Sequence, residues 1–278
     1  PRFSPLVTEL RAEDFRIVYD LMDDWSDTAL GGWGYRTEDE LAAIRRSDGL
    51  VASAPSLVGR LEQMSGRPVA LVPNAVNTRI FHPRDSEPPA DLPPGDGPVI
   101  EYHGSLYGDW FDWDALRAAA EQHESARFVI IGDARRHPEM PDNVHFLGLK
   151  PQHLLPAYLA HTDVAIIPFE VSETTHAVSP LKVFEYLAMG VPVASTPIAP
   201  VVGLEGVSTD SDLGAAISAA LDASPSDPST AASQHGWGER LSRLFSTVDL
   251  ELEEDPDADP ITISQHSVRH WSHEERRL

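Results

Sequence analysis

Apolar and polar positions along the chain follow the two periods that mark strands and helices. Short apolar runs rich in Val and Ile are separated by segments in which an apolar residue recurs every three or four positions. This succession is typical of βαβ units, in which helices connect the strands of a parallel sheet. The pattern therefore predicts an α/β protein with a Rossmann-like organisation.

The predicted elements form two groups, separated by residues 82–97, which are rich in Pro, Gly and acidic residues and have no hydrophobic period. Before this segment the pattern predicts strands at 15–20, 49–54 and 68–74 and helices at 37–47 and 56–64. After it the pattern predicts strands at 99–105, 127–133, 144–148, 163–169, 192–196 and 206–210. The helices of this second group are expected at 114–123, 153–161, 180–189 and 212–221, followed by a terminal amphipathic helix at 233–245.

These groups predict a domain division. Residues 1–81 form a partial N-terminal Rossmann-like domain, since three strands are few for a doubly wound sheet. Residues 82–97 form a linker and residues 98–232 a complete Rossmann-like domain. A terminal helix occupies 233–250, and the acidic, polar tail 251–278 is expected to be disordered. Because the chain starts without Met or a signal peptide, it is expected to be a fragment.

The amino-acid composition argues against several kinds of partner and site. The chain has 278 residues, a formal net charge of −23 and a pI near 4.7, so a nucleic-acid partner is not expected. It contains no cysteine, which excludes disulfides, thiol nucleophiles and zinc–thiolate sites and suits a reducing, cytoplasmic location. No apolar run is long enough to span a bilayer, which leaves peripheral membrane association open.

The stretch SPLKVFEYLAMGVPVAST, residues 179–196, suggests a ligand site. Ser179 suits the N-cap of a helix and Pro180 its first position. The N-terminus of a helix that follows a parallel strand attracts anions, and Lys182 adds a full charge. Glu185 lies about 7.5 Å beyond Pro180, roughly the separation between a diphosphate and its ribose. The alternative is a surface helix with an ordinary Lys–Glu pair.

Five stretches between residues 15 and 196 carry a family resemblance. They are YDLMDDW (19–25), LVPNAVNTRIF (71–81), HGSLYGDWFDWDAL (103–116), VHFLGLKPQHLLPAYLAHTDVAIIPF (144–169) and SPLKVFEYLAMGVPVAST (179–196). In this order and spacing they resemble the GT-B-fold, retaining glycosyltransferases of family 4, in particular a branch found among bacterial polysaccharide enzymes. The resemblance implies two Rossmann-like domains and a nucleoside diphosphate sugar as the donor substrate.

The resemblance also implies roles for particular residues. Glu185 would hold the ribose hydroxyls of the donor. The diphosphate would meet the backbone at Ser179, Pro180 and Leu181 and pass over Gly104 and Ser105. The base would lie against the strand end Phe146, Leu147 and Gly148, with Lys150 nearby. Packing alone would also account for this strand end, and a simple turn for Gly104.

The chain departs from the family pattern at several positions. The earlier glutamate of the family's E-x7-E pattern, a sugar contact, falls on Ala177, and either Glu173 or His176 could replace it from the same loop. The family's cations after the first glycine are missing, so Lys182 is the candidate for neutralising the diphosphate, with Arg135 behind it. In the hinge segment Ala75 and Asn77 stand where the family usually has Gly and Asp.

Three aspartates follow the first predicted strand, at 20, 23 and 24, where they would border the cleft between the domains. Asp23 or Asp24 could orient the acceptor or act as a base; capping of the next turn is the alternative. They do not form the DxD pair of metal-dependent transferases. The resemblance therefore implies a transferase with no metal and no cofactor, in which the helix dipole and cations neutralise the leaving group.

The predicted function is transfer of a sugar, with retention, from a nucleoside diphosphate sugar to a hydroxyl of a glycan, lipid-linked or small-molecule acceptor. Two alternatives stay open: a nucleotide-sugar-binding protein without catalysis, and a nucleotide-sugar epimerase of the same fold. About a hundred residues of the family's N-terminal domain have no counterpart here. We therefore expect the isolated chain to bind donor but to turn it over poorly.

Overall fold

The first structural unit is a three-stranded parallel sheet with two helices. The structure is a computed structural model that describes residues 9–11, 15–27, 35–106, 110–133, 137–224 and 227–250. Its strands β1 (Val18–Leu21), β2 (Gly49–Ala52) and β3 (Ala70–Leu71) lie side by side in that order. They are joined by α1 (Thr37–Arg46) and α2 (Pro55–Ser65).

Local sequence explains both helices of this unit. The first turn of α1 is acidic and its last turn is basic, which complements the helix dipole. Helix α2 starts at Pro55, where a missing N–H costs nothing, and ends at Gly66, whose φ of 64° is left-handed. Their apolar faces bury Ile44 and Leu57 against the sheet and form a small core separate from that of the second unit.

The second unit is a six-stranded parallel sheet. Its strands are β4 (Val99–His103), β5 (Arg127–Ile131), β6 (Val144–Gly148), β7 (Val164–Ile167), β8 (Val193–Ser195) and β9 (Val207–Thr209). Their order is β6-β5-β4-β7-β8-β9, the 3-2-1-4-5-6 arrangement of a complete Rossmann-type sheet. The order reverses between β4 and β7, which is where ligands bind in such sheets.

Helices cover this sheet and continue beyond it. They are α3 (Trp113–Gln122), α4 (Leu155–Leu159) after a 3-10 turn (Gln152–Leu154), α5 (Glu173–His176), α6 (Leu181–Ala188), α7 (Leu213–Asp222), α8 (Pro228–His235) and α9 (Trp237–Ser246). Strands β4, β5, β7 and β8 are almost wholly buried, and their Val and Ile side chains form the main core. The prediction of parallel α/β sheets is confirmed.

The predicted C-terminal helix is the element that differs most from expectation. The single helix expected at 233–245 is two helices, α8 and α9, which meet at Gly236. The break has a tertiary cause, because the N–H of Val76 donates to the carbonyl oxygen of His235 at 2.8 Å and forms a β-bridge there. Helix α5 was not predicted, since four residues carry no recognisable period.

Helix α9 connects the second unit back to the first. Arg240 is buried, and its guanidinium donates to the carbonyl oxygen of Pro73 at 3.0 Å and to Asp20 Oδ2 at 2.7 Å. The segment 82–97 lies between the two sheets in sequence. The tail 251–278 lies outside the described residues. Among the helices that the structure describes, none is both long and apolar enough to cross a membrane.

Candidate functional site

The predicted ligand site lies where the strand order of the large sheet reverses. Strand β4 ends at His103 and is followed by Gly104, and the chain after the neighbouring strand β7 leads through α5 into α6. Three side chains meet here, namely His103, Lys182 and Glu185. The sequence placed the last two on one helix, and the sheet brings the first to them.

Helix α6 starts one residue later than predicted. Its N-cap is Pro180, with an extended conformation, and its first helical residue is Leu181. Ser179 does not cap the helix, because its hydroxyl accepts from the N–H of Asn74 at 3.1 Å and its carbonyl accepts from the Asn74 side chain at 2.8 Å. Within the described chain no side chain caps α6. The N–H of Val183 donates to the carbonyl oxygen of Pro180 at 3.1 Å, which leaves the N–H groups of Leu181 and Lys182 for an anion.

Glu185 is a buried carboxylate with two neighbours of different kinds. It is 5% exposed. Its Oε2 lies 2.8 Å from Nε2 of His103, and its Oε1 accepts from the amide of Gln152 at 3.1 Å. A carboxylate at the switch point that accepts hydrogen bonds has the chemistry to bind a vicinal diol. The ribose contact of Glu185 stays a prediction.

His103 links Glu185 to a second buried acid. His103 is 4% exposed, and its Nδ1 lies 3.1 Å from Oε1 of Glu101, which is fully buried. Burial by itself lowers the pKa of His103, but the charges and hydrogen bonds of Glu101 and Glu185 outweigh it and raise the pKa from 6.5 to about 9. His103 is therefore a cation at neutral pH, flanked by two carboxylates.

Lys182 holds its ammonium among aromatic rings. Its Nζ lies 5.3 Å from the ring centre of Tyr102 and 5.0 Å from that of Phe169, both cation–π distances. In the part of the chain that the structure describes, no carboxylate comes within ion-pair distance of this nitrogen. Burial lowers its pKa from 10.5 to about 8, and the negative charges of Glu185 and Glu101 offset only part of that effect.

Gly104 makes room for this lysine. Its φ is 143°, which side chains rarely adopt, and an added Cβ would lie 2.7 Å from Cε of Lys182 and 3.2 Å from its Nζ. Ser105 is exposed, and its carbonyl oxygen accepts from the hydroxyl of Tyr102 at 2.8 Å. The positive φ favours glycine at this position, and a Cβ there would require the end of the Lys182 side chain to shift.

The segment predicted to contact the donor sugar is fastened to the first unit. The carbonyl oxygen of His176 accepts from the hydroxyl of Ser56, and its Nδ1 accepts from the N–H of Ala199 at 3.0 Å. Ala177 is buried in the core of the first unit. Glu173 lies in the first turn of α5. His176 is thus held in place, and Ala177 provides no polar group for a sugar.

The predicted base-binding residues lie at the edge strand β6. Phe146 and Leu147 are partly buried, and the ring of Phe146 stacks on His137 with a centroid distance of 3.9 Å. Gly148 is exposed with a φ of 69°. Lys150 is paired with Asp91 of the segment 82–97 at 2.5 Å, so its charge holds that segment. Arg135 lies outside the described residues.

The aspartates after β1 have separate surroundings. Asp24 accepts from the N–H of Ser26 at 3.0 Å and lies 3.6 Å from Nε of Arg60, which favours the capping alternative for this residue. Burial raises the pKa of Asp23, as suits a group that exchanges protons. The carboxylate of Asp20 forms an ion pair with Arg240.

Three residues of the site were not singled out from the sequence: Glu101, His103 and Gln152. Glu101 and His103 alternate with apolar residues in a strand whose five residues are all buried. Two ionisable residues in an otherwise apolar strand are unusual, and this pattern could have marked them as site residues. Gln152 lies in a polar turn and carried no signal.

Comparison with known proteins shows what this domain is similar to. Residues 97–223, slightly under half of the chain, match the family model described as "Glycosyl transferases group 1". In three dimensions the chain aligns with sucrose-phosphate synthase from Thermosynechococcus elongatus (18% identity, TM-score 0.58), covering 88% of this chain and 67% of that one. It also aligns with HepE from Anabaena in complex with UDP and glucose (14% identity, TM-score 0.58), covering 87% and 74%. The fold is that of the GT-B glycosyltransferases.

A curated relative extends the match in sequence. The chain is 27% identical over 211 residues to the "Putative teichuronic acid biosynthesis glycosyltransferase TuaH" of Bacillus subtilis (strain 168). The alignment covers 69% of this chain and 53% of the relative, so the chain spans about half of that protein's length.

Proposed function

We propose that the protein is a retaining glycosyltransferase of family 4 that moves a sugar from a nucleoside diphosphate sugar to a hydroxyl acceptor. One observation carries the proposal. Among the described residues, a helix N-terminus without a side-chain cap, an ammonium without a carboxylate partner and a buried carboxylate share the switch point of the large sheet. The helix N-terminus and the ammonium can bind a diphosphate, and the buried carboxylate can accept hydrogen bonds from the ribose hydroxyls. The match of residues 97–223 supports this assignment.

In the proposed reaction, a hydroxyl oxygen of the acceptor forms a bond to the anomeric carbon of the sugar. The bond between this carbon and the phosphate oxygen breaks, and its electron pair leaves with the diphosphate. Attack from the face that the diphosphate leaves gives retention and lets the leaving oxygen take the acceptor's proton. Lys182 and the N–H groups of α6 stabilise the charge that develops, so we propose that the reaction needs neither metal nor cofactor.

We infer the class of acceptor from the name of the curated relative. That protein is named for teichuronic acid biosynthesis, which favours a polysaccharide or its lipid-linked precursor. Asp23, whose pKa is raised by burial, is the candidate for orienting the acceptor. A cytoplasmic location, where reducing conditions suit a chain without cysteine, belongs to the same proposal.

The test begins with thermal unfolding in the presence of UDP, GDP, ADP or TDP. A nucleotide present at about 100 times its Kd stabilises the native state by about 2.7 kcal/mol. For a chain of this size, that raises the Tm by roughly 5–10 °C. Glu185→Ala should abolish the shift, whereas the matched control Glu173→Ala should keep it. An equal shift in Glu185→Ala would remove Glu185 from the site.

A second candidate function is binding of a nucleotide sugar without transfer. Ala177 favours it, since the position of the family's sugar-binding glutamate is a buried alanine packed on the first unit. Incubation with UDP-glucose and simple hydroxyl acceptors separates the two: transfer yields a glycoside and free UDP, whereas pure binding yields neither. Epimerisation of the sugar with donor alone would instead indicate the third alternative.

A further inference from the structure

The two oxygens of Glu185 differ in how permanently they are occupied. Oε2 faces Nε2 of His103 at 2.8 Å, inside the protein, where the ring is 4% exposed. Oε1 faces the amide of Gln152 at 3.1 Å, and Gln152 is an exposed residue of a short turn. A ligand hydroxyl can replace an exposed amide, but it cannot reach past a buried imidazole. The carboxylate therefore has one fixed and one exchangeable side.

The ring of His103 is itself fixed from several directions. Nδ1 lies 3.1 Å from Oε1 of Glu101, and the backbone N–H of His103 donates to the hydroxyl of Tyr186 at 3.1 Å. The ring packs edge-on against Tyr186 at 4.8 Å and stacks on Phe81 at 6.2 Å. Both ring nitrogens face carboxylate oxygens, and only the doubly protonated imidazole can donate to both.

We propose that His103 is a positioning residue, whose imidazolium holds Oε2 of Glu185 and directs Oε1 toward the 2′- and 3′-hydroxyls of a nucleoside diphosphate. This inference rests on the proposed function, because it requires Glu185 to bind ribose. It adds that recognition of the ribose depends on a proton on Nε2 of His103. The imidazolium always carries this proton, whereas the neutral ring has only one proton for the two carboxylates that face it. Glu101 serves as the buried counter-charge that keeps this histidine protonated.

Other groups around His103 decide which measurement is useful. Glu101 faces it from β4, and Glu185 and Tyr186 face it from α6. Gln152 lies beyond Glu185, and Lys182 interacts with the charges of the same two glutamates. Lys182 also loses its proton in alkaline solution. Loss of this proton should weaken binding of the diphosphate equally for ribose and deoxyribose nucleotides. The ratio of the two affinities therefore isolates the effect of His103 on Glu185.

The experiment measures the Kd of UDP and of 2′-deoxy-UDP by calorimetry, with GDP and 2′-deoxy-GDP as a second pair. The variants are His103→Gln, whose amide nitrogen reaches the Nε2 position facing Glu185, and His103→Asn, whose amide nitrogen reaches the Nδ1 position facing Glu101. His123→Asn is the matched control. It removes a ring nitrogen that lies 2.9 Å from the Gly214 carbonyl oxygen, where the end of α3 meets α7.

A hydrogen bond to a charged group is lost with the 2′-hydroxyl, so the wild type should prefer the ribonucleotide by about tenfold or more. His103→Gln and His123→Asn should keep this preference, whereas His103→Asn should reduce it to less than about threefold. In the wild type the preference should also fall as the pH rises through about 9, and in His103→Gln it should not change.

Two results would overturn the proposal. In the first, His103→Asn keeps the full preference for the ribonucleotide over the deoxyribonucleotide. In the second, this preference stays constant in the wild type from pH 7 to pH 10. Failure of the proposed function looks different. In that case the wild type binds neither nucleotide pair, or it binds ribose and deoxyribose forms equally and Glu185→Ala has no effect. Thermal unfolding of each variant checks that it is folded before binding is measured.

Discussion

Replacing Lys182 by methionine tests whether the ammonium at the switch point binds the diphosphate. The change keeps the length and the apolar stem of the side chain and removes the charge that lies between the rings of Tyr102 and Phe169. A hydrogen bond to a charged group contributes about 1.5–3 kcal/mol, so UDP should bind roughly 10- to 100-fold more weakly. Calorimetric titration measures this change directly.

Binding of UDP should also be accompanied by the uptake of protons. The pKa of Lys182 is about 8, so at pH 8 about half of the unliganded molecules carry the charge. A bound diphosphate favours the charged form, so binding should take up about 0.5 proton per UDP at pH 8 and roughly 0.1 at pH 7. Titrations at pH 8 in two buffers with different ionisation enthalpies give this number. In Lys182→Met the uptake at pH 8 should fall close to zero.

The chain provides a matched control, since it contains only two lysines. Lys150→Met removes the other ammonium, which is paired with Asp91. It should leave both UDP affinity and proton uptake close to the wild-type values. Equal effects of the two substitutions, or unchanged proton uptake in Lys182→Met, would refute a direct contact between Lys182 and the diphosphate. Because burial disfavours the charge of Lys182, its methionine variant should unfold at the same temperature as the wild type or higher.

Three further substitutions test neighbouring features. Gly104→Ala places a Cβ 2.7 Å from Cε of Lys182 at a φ of 143°, and it should cost about 1–3 kcal/mol of stability and weaken UDP binding; unchanged affinity contradicts this. Arg240→Met strands the Asp20 carboxylate, which is 26% exposed, and should cost about 2–4 kcal/mol in urea unfolding. Adding Asp20→Asn should recover much of that loss, and a double variant as unstable as the single one would contradict it. The raised pKa of His103 stabilises the fold fully below pH 6.5, and this contribution is lost as the pH rises through about 9. The stability difference from His103→Gln should therefore shrink over that range, and a constant difference would refute the assigned charge.

Much of the fold followed from the sequence because it rests on local periodicity. The apolar runs identified the strands of both sheets, and the helices between them implied parallel pairing. Lys182 and Glu185 were found together because they are three residues apart on one helix, and such neighbours share a face. The helix start shifted by one residue, since Ser179 could satisfy Asn74 as well as a helix N-terminus.

Only the tertiary structure decided the partners that are distant along the chain. His103 meets Glu185 across 82 positions, Ser179 meets Asn74 across 105, and Asp20 meets Arg240 across 220. None of these pairs leaves a periodic signal, because each forms when a strand or helix is packed beside another by the burial of apolar faces. The sequence alone thus determined which segments become strands and helices, and it predicted an anion site at the start of α6. The packing of those segments determined which acid is held by a histidine and which serine binds across the two units. Within the ranges that the structure describes, it also determined which lysine has no carboxylate in ion-pair distance.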